Sequence, residues 1–202
     1  MKSRYLAQEL TGLALLARDV GGGRVRDVYI DDRSWSVRYL VVELRHGLAG
    51  RRILVSPVCV TGLDVGGHLR VSLTGDQLWN GPDIDTDRPV SRQHETTLYE
   101  YYGIPFYWTA EAGAERAGDP HLRSVHAVRR YTVIAGDLVV GHVDDFAVDV
   151  MQWRVTGIAV RHRRWLSGPR RFVPVDAIQS ISWMGKAVYV EPASLEQIAQ
   201  PA

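Results

Sequence analysis

The chain contains one stretch twice. GGGRVRDVYIDDRSWSVRYLVVEL, Gly21 to Leu44, returns as GHVDDFAVDVMQWRVTGIAV from Gly141, without a gap. Trp35 falls on Trp153, an offset of 118 residues, and the same offset carries Gly23 onto Gly141, Val25 onto Val143, Asp27 onto Asp145 and Asp31 onto Asp149. It continues to Val42 and Val160, Gly50 and Gly168, and Val55 and Val173. Both copies end on a capping-box pattern, a hydroxyl with Gln three residues on and then an apolar residue: TGDQL at Thr74 and SLEQI at Ser194. A repeat of this length constrains the fold more than any composition does. It requires two copies of one small unit, each with a face to bury.

With 46% hydrophobic residues in 202, the chain can fill two small cores. A net charge of +1 argues against a general polyanion binder. The lone cysteine, Cys59, excludes an intramolecular disulfide and fits a reducing compartment. The opening MKSRYLAQELTGLALLARD is broken by Arg4, Gln8, Glu9 and Arg18, so it reads neither as a signal peptide nor as a membrane span. The expectation is a soluble, cytoplasmic protein without membrane insertion.

Each copy reads as short strands separated by turns. In the first, Leu13 to Ala17, Val25 to Ile30 and Ser36 to Glu43 are strand-like, and DDRS (Asp31 to Ser34) makes a hairpin, because Asp and Ser hydrogen-bond their own backbone in turns. Such a pattern predicts an antiparallel barrel or sandwich, since a small open sheet leaves edges unpaired. Only the first copy is followed by SRQHETTLYEYYG, which predicts a short helix capped by Ser91 and ended by Gly103. The expected organisation is a first domain over 1–108 with this helix and an aromatic tail, a linker over 109–120, and a second domain over 121–202.

The unit G-x-V-x-D-x-Y-x-D-D-x-x-W-x-V-R-Y-L-V-V followed by ILVSP resembles the PRC-barrel domain. That family is named for the cytoplasmic part of the photosynthetic reaction-centre H subunit. It also occurs in a 16S rRNA maturation factor and in stand-alone bacterial proteins. The segment PDIDTDRPVSRQHETTLYEYYGIPFYW is similar to the tail of the stand-alone type. The resemblance implies two small antiparallel β-barrels in tandem, used for protein contacts, with no catalytic residues and no cofactor.

The residues themselves carry little chemistry. Asp31, Asp149, Trp35 and Trp153 read as turn formers with a ring packed across the barrel mouth, and Asp27 and Asp145 as inward carboxylates bonded to a neighbouring turn. DIDTD (Asp83 to Asp87) starts like a calcium loop, but Arg88 and His94 stand where Gly and Glu are required. Scattered His and Cys predict no metal site. Two surfaces remain. Tyr99, Tyr102, Phe106, Tyr107 and Trp108 form a candidate protein interface, because excess aromatics mark contact surfaces. Arg161, Arg163, Arg164, Arg170 and Arg171 form a basic patch suited to phosphate or to guarding a hairpin edge. The expectation is a non-enzymatic interaction or adaptor module that self-associates, a dimer favoured. A nucleic-acid or ribosome-associated module acting through the basic hairpin is the alternative. A soluble relative of the H subunit acting in photosynthetic complex assembly or electron transfer is the third.

Overall fold

The computed structural model describes residues 3–19, 21–46, 49–82, 92–105, 121–161 and 170–193. Among these the protein is mainly β, with four short helices and two seven-stranded sheets. The strands of the first copy are β2 (Ala14–Leu16), β3 (Gly21–Asp31), β4 (Val37–His46), β5 (Ala49–Val55), β6 (Val60–Leu63) and β7 (Leu69–Val71). Those of the second are β9 (Thr132–Ala135), β10 (Leu138–Asp149), β11 (Arg154–Arg161), β12 (Arg171–Pro174), β13 (Ile178–Ser182) and β14 (Ala187–Val190). Short strands β1 (Arg4–Leu6) and β8 (Leu122–Ser124) precede the two copies. The helices are α1 (Ala7–Leu10), α2 (Gly75–Trp79), α3 (Arg92–Tyr102) and α4 (Val125–Val128).

The duplication extends to the hydrogen-bond register. The sheets run β5-β4-β3-β2-β7-β6 and β12-β11-β10-β9-β14-β13. Leu40 faces Val55 as Ile158 faces Val173, and Val42 faces Ile53 as Val160 faces Arg171. Contrary to a wholly antiparallel expectation, one junction in each sheet is parallel, β2 with β7 and β9 with β14. The chain reaches these pairs through a winding of several strands rather than a tight hairpin, which parallel pairing requires.

Two compact units result, and they do not follow the chain's linear order. One comprises Thr11–Tyr29 and Arg38–Leu122; the other comprises Met1–Leu10, Ile30–Val37 and Arg123–Ala202. The main change of unit, between Leu122 and Arg123, falls close to the expected start of the second domain. Residues 1–10 and 30–37, expected in the first, group with the second. The expected linker, 109–120, lies outside the described residues.

In the first unit Leu15, Tyr39, Leu40, Ile53, Leu54 and Leu98 are fully buried. In the second, Val133, Phe146, Ile158, Val173 and Val188 take that part. Removing each such side chain from water contributes roughly 1.5–3 kcal/mol.

Two local signals are realised in detail, while Ser91 and the capping-box pattern at Ser194 lie outside the described residues. Thr74 and Gln77 close a capping box on α2: the Thr74 hydroxyl accepts from Gln77 N and the Gln77 amide oxygen from Thr74 N. Gly103, at φ +62°, ends α3 with Gly103 N donating to Glu100 O and Ile104 N to Tyr99 O. That is a Schellman motif, for which a residue without Cβ is favoured.

Candidate interaction surfaces

The repeated Asp and Trp meet at the hairpin ends. Asp31 Oδ1 accepts from Arg33 N (2.9 Å) and Ser34 N (2.8 Å), and Asp149 Oδ1 accepts from Met151 N (2.8 Å) and Gln152 N (3.2 Å). Each carboxylate folds its own turn. Trp35 and Trp153 both hold positive φ, +58° and +50°, which is unusual for a bulky side chain. The strained backbone has a use that sequence reasoning missed. Val37 N donates to Trp153 O (2.7 Å), and Val155 N donates to Trp35 O (2.8 Å). The two hairpin ends therefore pair reciprocally, with Ser36 bridging to Arg154. Beside them Arg123 Nε lies 2.7 Å from Asp32 Oδ2 in a largely buried ion pair.

Asp145 is fully buried in β10, next to a register shift. It accepts from Phe146 N (2.8 Å) and Gln8 N (3.3 Å), and burial raises its carboxyl above the ordinary range against the pull of those two donors. Asp27 makes the same local bond to Val28 N at 2.8 Å. A carboxyl whose folded pKa is raised contributes stability in its protonated form, and that contribution is lost as pH rises from the ordinary carboxylate range through the raised value. Relative to Asp145→Asn, the wild-type protein is therefore expected to gain stability as pH falls through that window, read as a difference between urea midpoints.

One cross-strand ion pair changes polarity between the copies. In the first, Arg26 on β3 donates to Glu43 on β4, with Nε at 2.7 Å. At the equivalent positions of the second, Asp144 on β10 accepts from Arg161 on β11, at 3.1 Å from Nε, and lies 2.6 Å from Arg170 Nε. Burial opposes ionisation of Asp144, but the two guanidiniums outweigh it and hold its carboxyl below the usual range. Asp144→Arg, which sets like charges together, is expected to cost about 1 kcal/mol. Adding Arg161→Glu, which restores the polarity of the first copy, is expected to recover most of it; a double variant no more stable than the single would refute the equivalence.

That pairing changes the basic patch. Arg161 and Arg170 are engaged by Asp144, while Arg171 is exposed. Arg163 and Arg164 lie outside the described residues. The aromatic cluster changes more. Leu98, Tyr99 and Tyr102 form the buried stripe of α3, with Tyr99 3% and Tyr102 7% exposed, and the Tyr99 ring stands edge-on to Tyr39 at 6.4 Å. The expectation that Tyr99 and Tyr102 face a partner is thereby corrected: one stripe of a helix covers one neighbour, and here that neighbour is the helix's own sheet. Tyr101, 40% exposed, points outward. Phe106, Tyr107, Trp108 and the Asp83–Asp87 loop lie outside the described residues.

The second unit exposes large apolar side chains that sequence reading did not single out. Trp183 is 55% and Met184 97% exposed in the turn between β13 and β14, with Tyr189 and Phe172 also outward. The Trp183 ring rests edge-on against Tyr131 at 6.4 Å. Tyr131 and Trp183 are isolated aromatics in the sequence, so no local cluster marks these side chains.

Among the described residues, no group of three or more His, Cys, Asp or Glu could hold a metal ion, and no helix is long and apolar enough to cross a membrane. Cys59 is buried, and desolvation pushes its thiol up to about 11. Since the thiolate is the nucleophile, Cys59 is expected to react with a disulfide reagent at pH 8 at least about a hundredfold slower than a free thiol, and normally in denaturant. In comparisons with known proteins, no family model matches the chain and no curated protein is similar to it.

Proposed function

We propose that the protein is a non-catalytic interaction module of the PRC-barrel type, acting in the cytoplasm and associating with a second copy of itself. The barrel reading is supported by chain order at the sheet margins. The outer strands β5 and β6, and likewise β12 and β13, follow one another directly through a single 3-10 turn, Pro57–Cys59 or Val175–Ala177. A closed barrel needs its margins brought together in this way.

The observation that carries the interaction reading is the use made of the polar residues. The repeated aspartates and Trp backbones are spent on turns, caps and pairing, so what the second unit offers to its surroundings is the exposed Trp183, Met184 and Tyr189 surface. Large outward aromatics and Met favour protein contact. The nucleic-acid alternative is weakened by the pairing of Arg161 and Arg170 with Asp144.

Sedimentation velocity across a concentration series tests the reading. A reversible dimer is expected. A protein that stays monomeric at the highest attainable concentration, and retains no partner, would remove it. Trp183→Ser with Met184→Ser asks separately whether this surface contributes, by weakening association roughly tenfold or more if it holds a central anchor.

A further inference from the structure

The residues that open the chain do not join the sheet they precede. Val150 N donates to Ser3 O at 2.9 Å, and Arg4, Tyr5 and Leu6 of β1 then pair with Asp149, Val148 and Ala147 of β10. In α1, Ala7 and Leu10 are buried completely. Gln8 N donates to the buried Asp145 carboxylate, and Gln8 Nε2 donates to Asp144 O at 3.4 Å. An added strand, two apolar anchors three residues apart and a backbone donor on a buried carboxylate are what a peptide-receiving groove supplies. The segment leaves this groove through Thr11, where the other unit begins. Gly12, at φ +93° with nothing within 4 Å of a Cβ built there, makes the turn.

We propose that this groove receives the segment Ser3–Leu10 of a second copy in place of its own, so that copies associate by exchanging their N-terminal arms. The occupant is defined by what already fills the site. The arrangement is also duplicated: β8, the strand ahead of the second copy, pairs with β3 of the first, so each repeat takes up the leading strand of the other. A contact made between repeats of one chain needs no new surface to form between two chains, because exchange of an identical element preserves every bond. The proposal rests on the self-association reading and adds a second means of association beside the Trp183 and Met184 side chains.

Chains carrying both units test it. One copy carries Leu6→Cys and an affinity tag, and the other carries Ala147→Cys without a tag, both in a Cys59→Ala background. Leu6 and Ala147 are direct register partners, within disulfide reach across an antiparallel pair. After mixing at high concentration, incubation and oxidation, a linked species of one tagged and one untagged chain is expected. It should exceed at least tenfold the amount formed when Thr61→Cys, an exposed position on the other sheet, replaces Ala147→Cys. Adding Leu10→Asp to the tagged chain should abolish it. A single chain bearing both cysteines reports that the background folds and that the pair can close; Tyr5→Cys with Val148→Cys serves if it does not. Linkage no greater than the control, with the single chain closing internally, would overturn the proposal. Sedimentation of the same mixture separates the two readings: association without arm linkage removes the exchange and leaves self-association standing.

Discussion

Gly23→Ala and Gly141→Ala are each expected to destabilise their sheet by about 3 kcal/mol or more, a large fraction of the stability of a small domain. A Cβ at Gly23 would meet Glu43 O, with Val42 Cγ1 at 2.9 Å and Leu44 Cδ2 at 3.0 Å. At Gly141 it would meet Arg161 O, with Val160 Cγ1 at 3.1 Å, on a backbone at φ +154°. In both cases the obstacle is the carbonyl of the paired strand, so the ladder must shift rather than a side chain rotate. Gly50→Ala, whose nearest contact is 3.6 Å, is the matched control and is expected to change stability by less than about 0.5 kcal/mol. Urea midpoints decide it. If Gly23→Ala and Gly50→Ala behaved alike, close strand approach would not be the reason glycine recurs in the repeat.

That glycine shows what the sequence makes legible. Offset pairing located the two sheets and the hairpins at Asp31 and Asp149, and the glycine after the helical stretch located the end of α3 at Gly103, because each hairpin and cap depends on residues close together in the chain. The burial of Leu98, Tyr99 and Tyr102 was also open to reading as a helical stripe, but counting aromatics without their helical angle put Tyr99 and Tyr102 on the wrong side. The reciprocal hydrogen bonds of Trp35 and Trp153 were not legible. They are made by backbone groups, and a carbonyl aimed by positive φ leaves no mark on composition. The interleaving of the units escaped for a related reason. Strand β1 is three residues long, and nothing in Arg-Tyr-Leu specifies which of two similar sheets it should join. The choice is made by β10, where Ala147 is the register partner of Leu6 and Asp145 accepts from Gln8 N, both more than a hundred residues away.

Leu10→Ala brings that choice to an experiment. Leu10 precedes the first repeat, and a division of the chain by position assigns it to residues 1–108. By contact it belongs to the unit of Arg123–Ala202, where it is fully buried and α1 lies against β10. Truncating a fully buried Leu removes its transfer free energy and leaves a cavity, at a cost of about 2–5 kcal/mol. The loss is expected in the unit that surrounds the side chain. Hydrogen exchange followed by mass spectrometry should show faster exchange in β9, β10, β11 and β14, with β2, β4, β5 and β7 close to wild type. Local stability need not be uniform across a chain built of two units, so the two sets of strands can respond separately. Gln8→Pro, which deletes the N–H donated to Asp145, should act on the same strands and by the same route. Loss of protection confined to β2, β4, β5 and β7 would return residues 1–10 to the first domain, and the arm-exchange proposal would fall with it. Loss confined to β9, β10, β11 and β14 would mean that a substitution at Leu10 acts on the unit of Arg123–Ala202, as the contacts of α1 with β10 require.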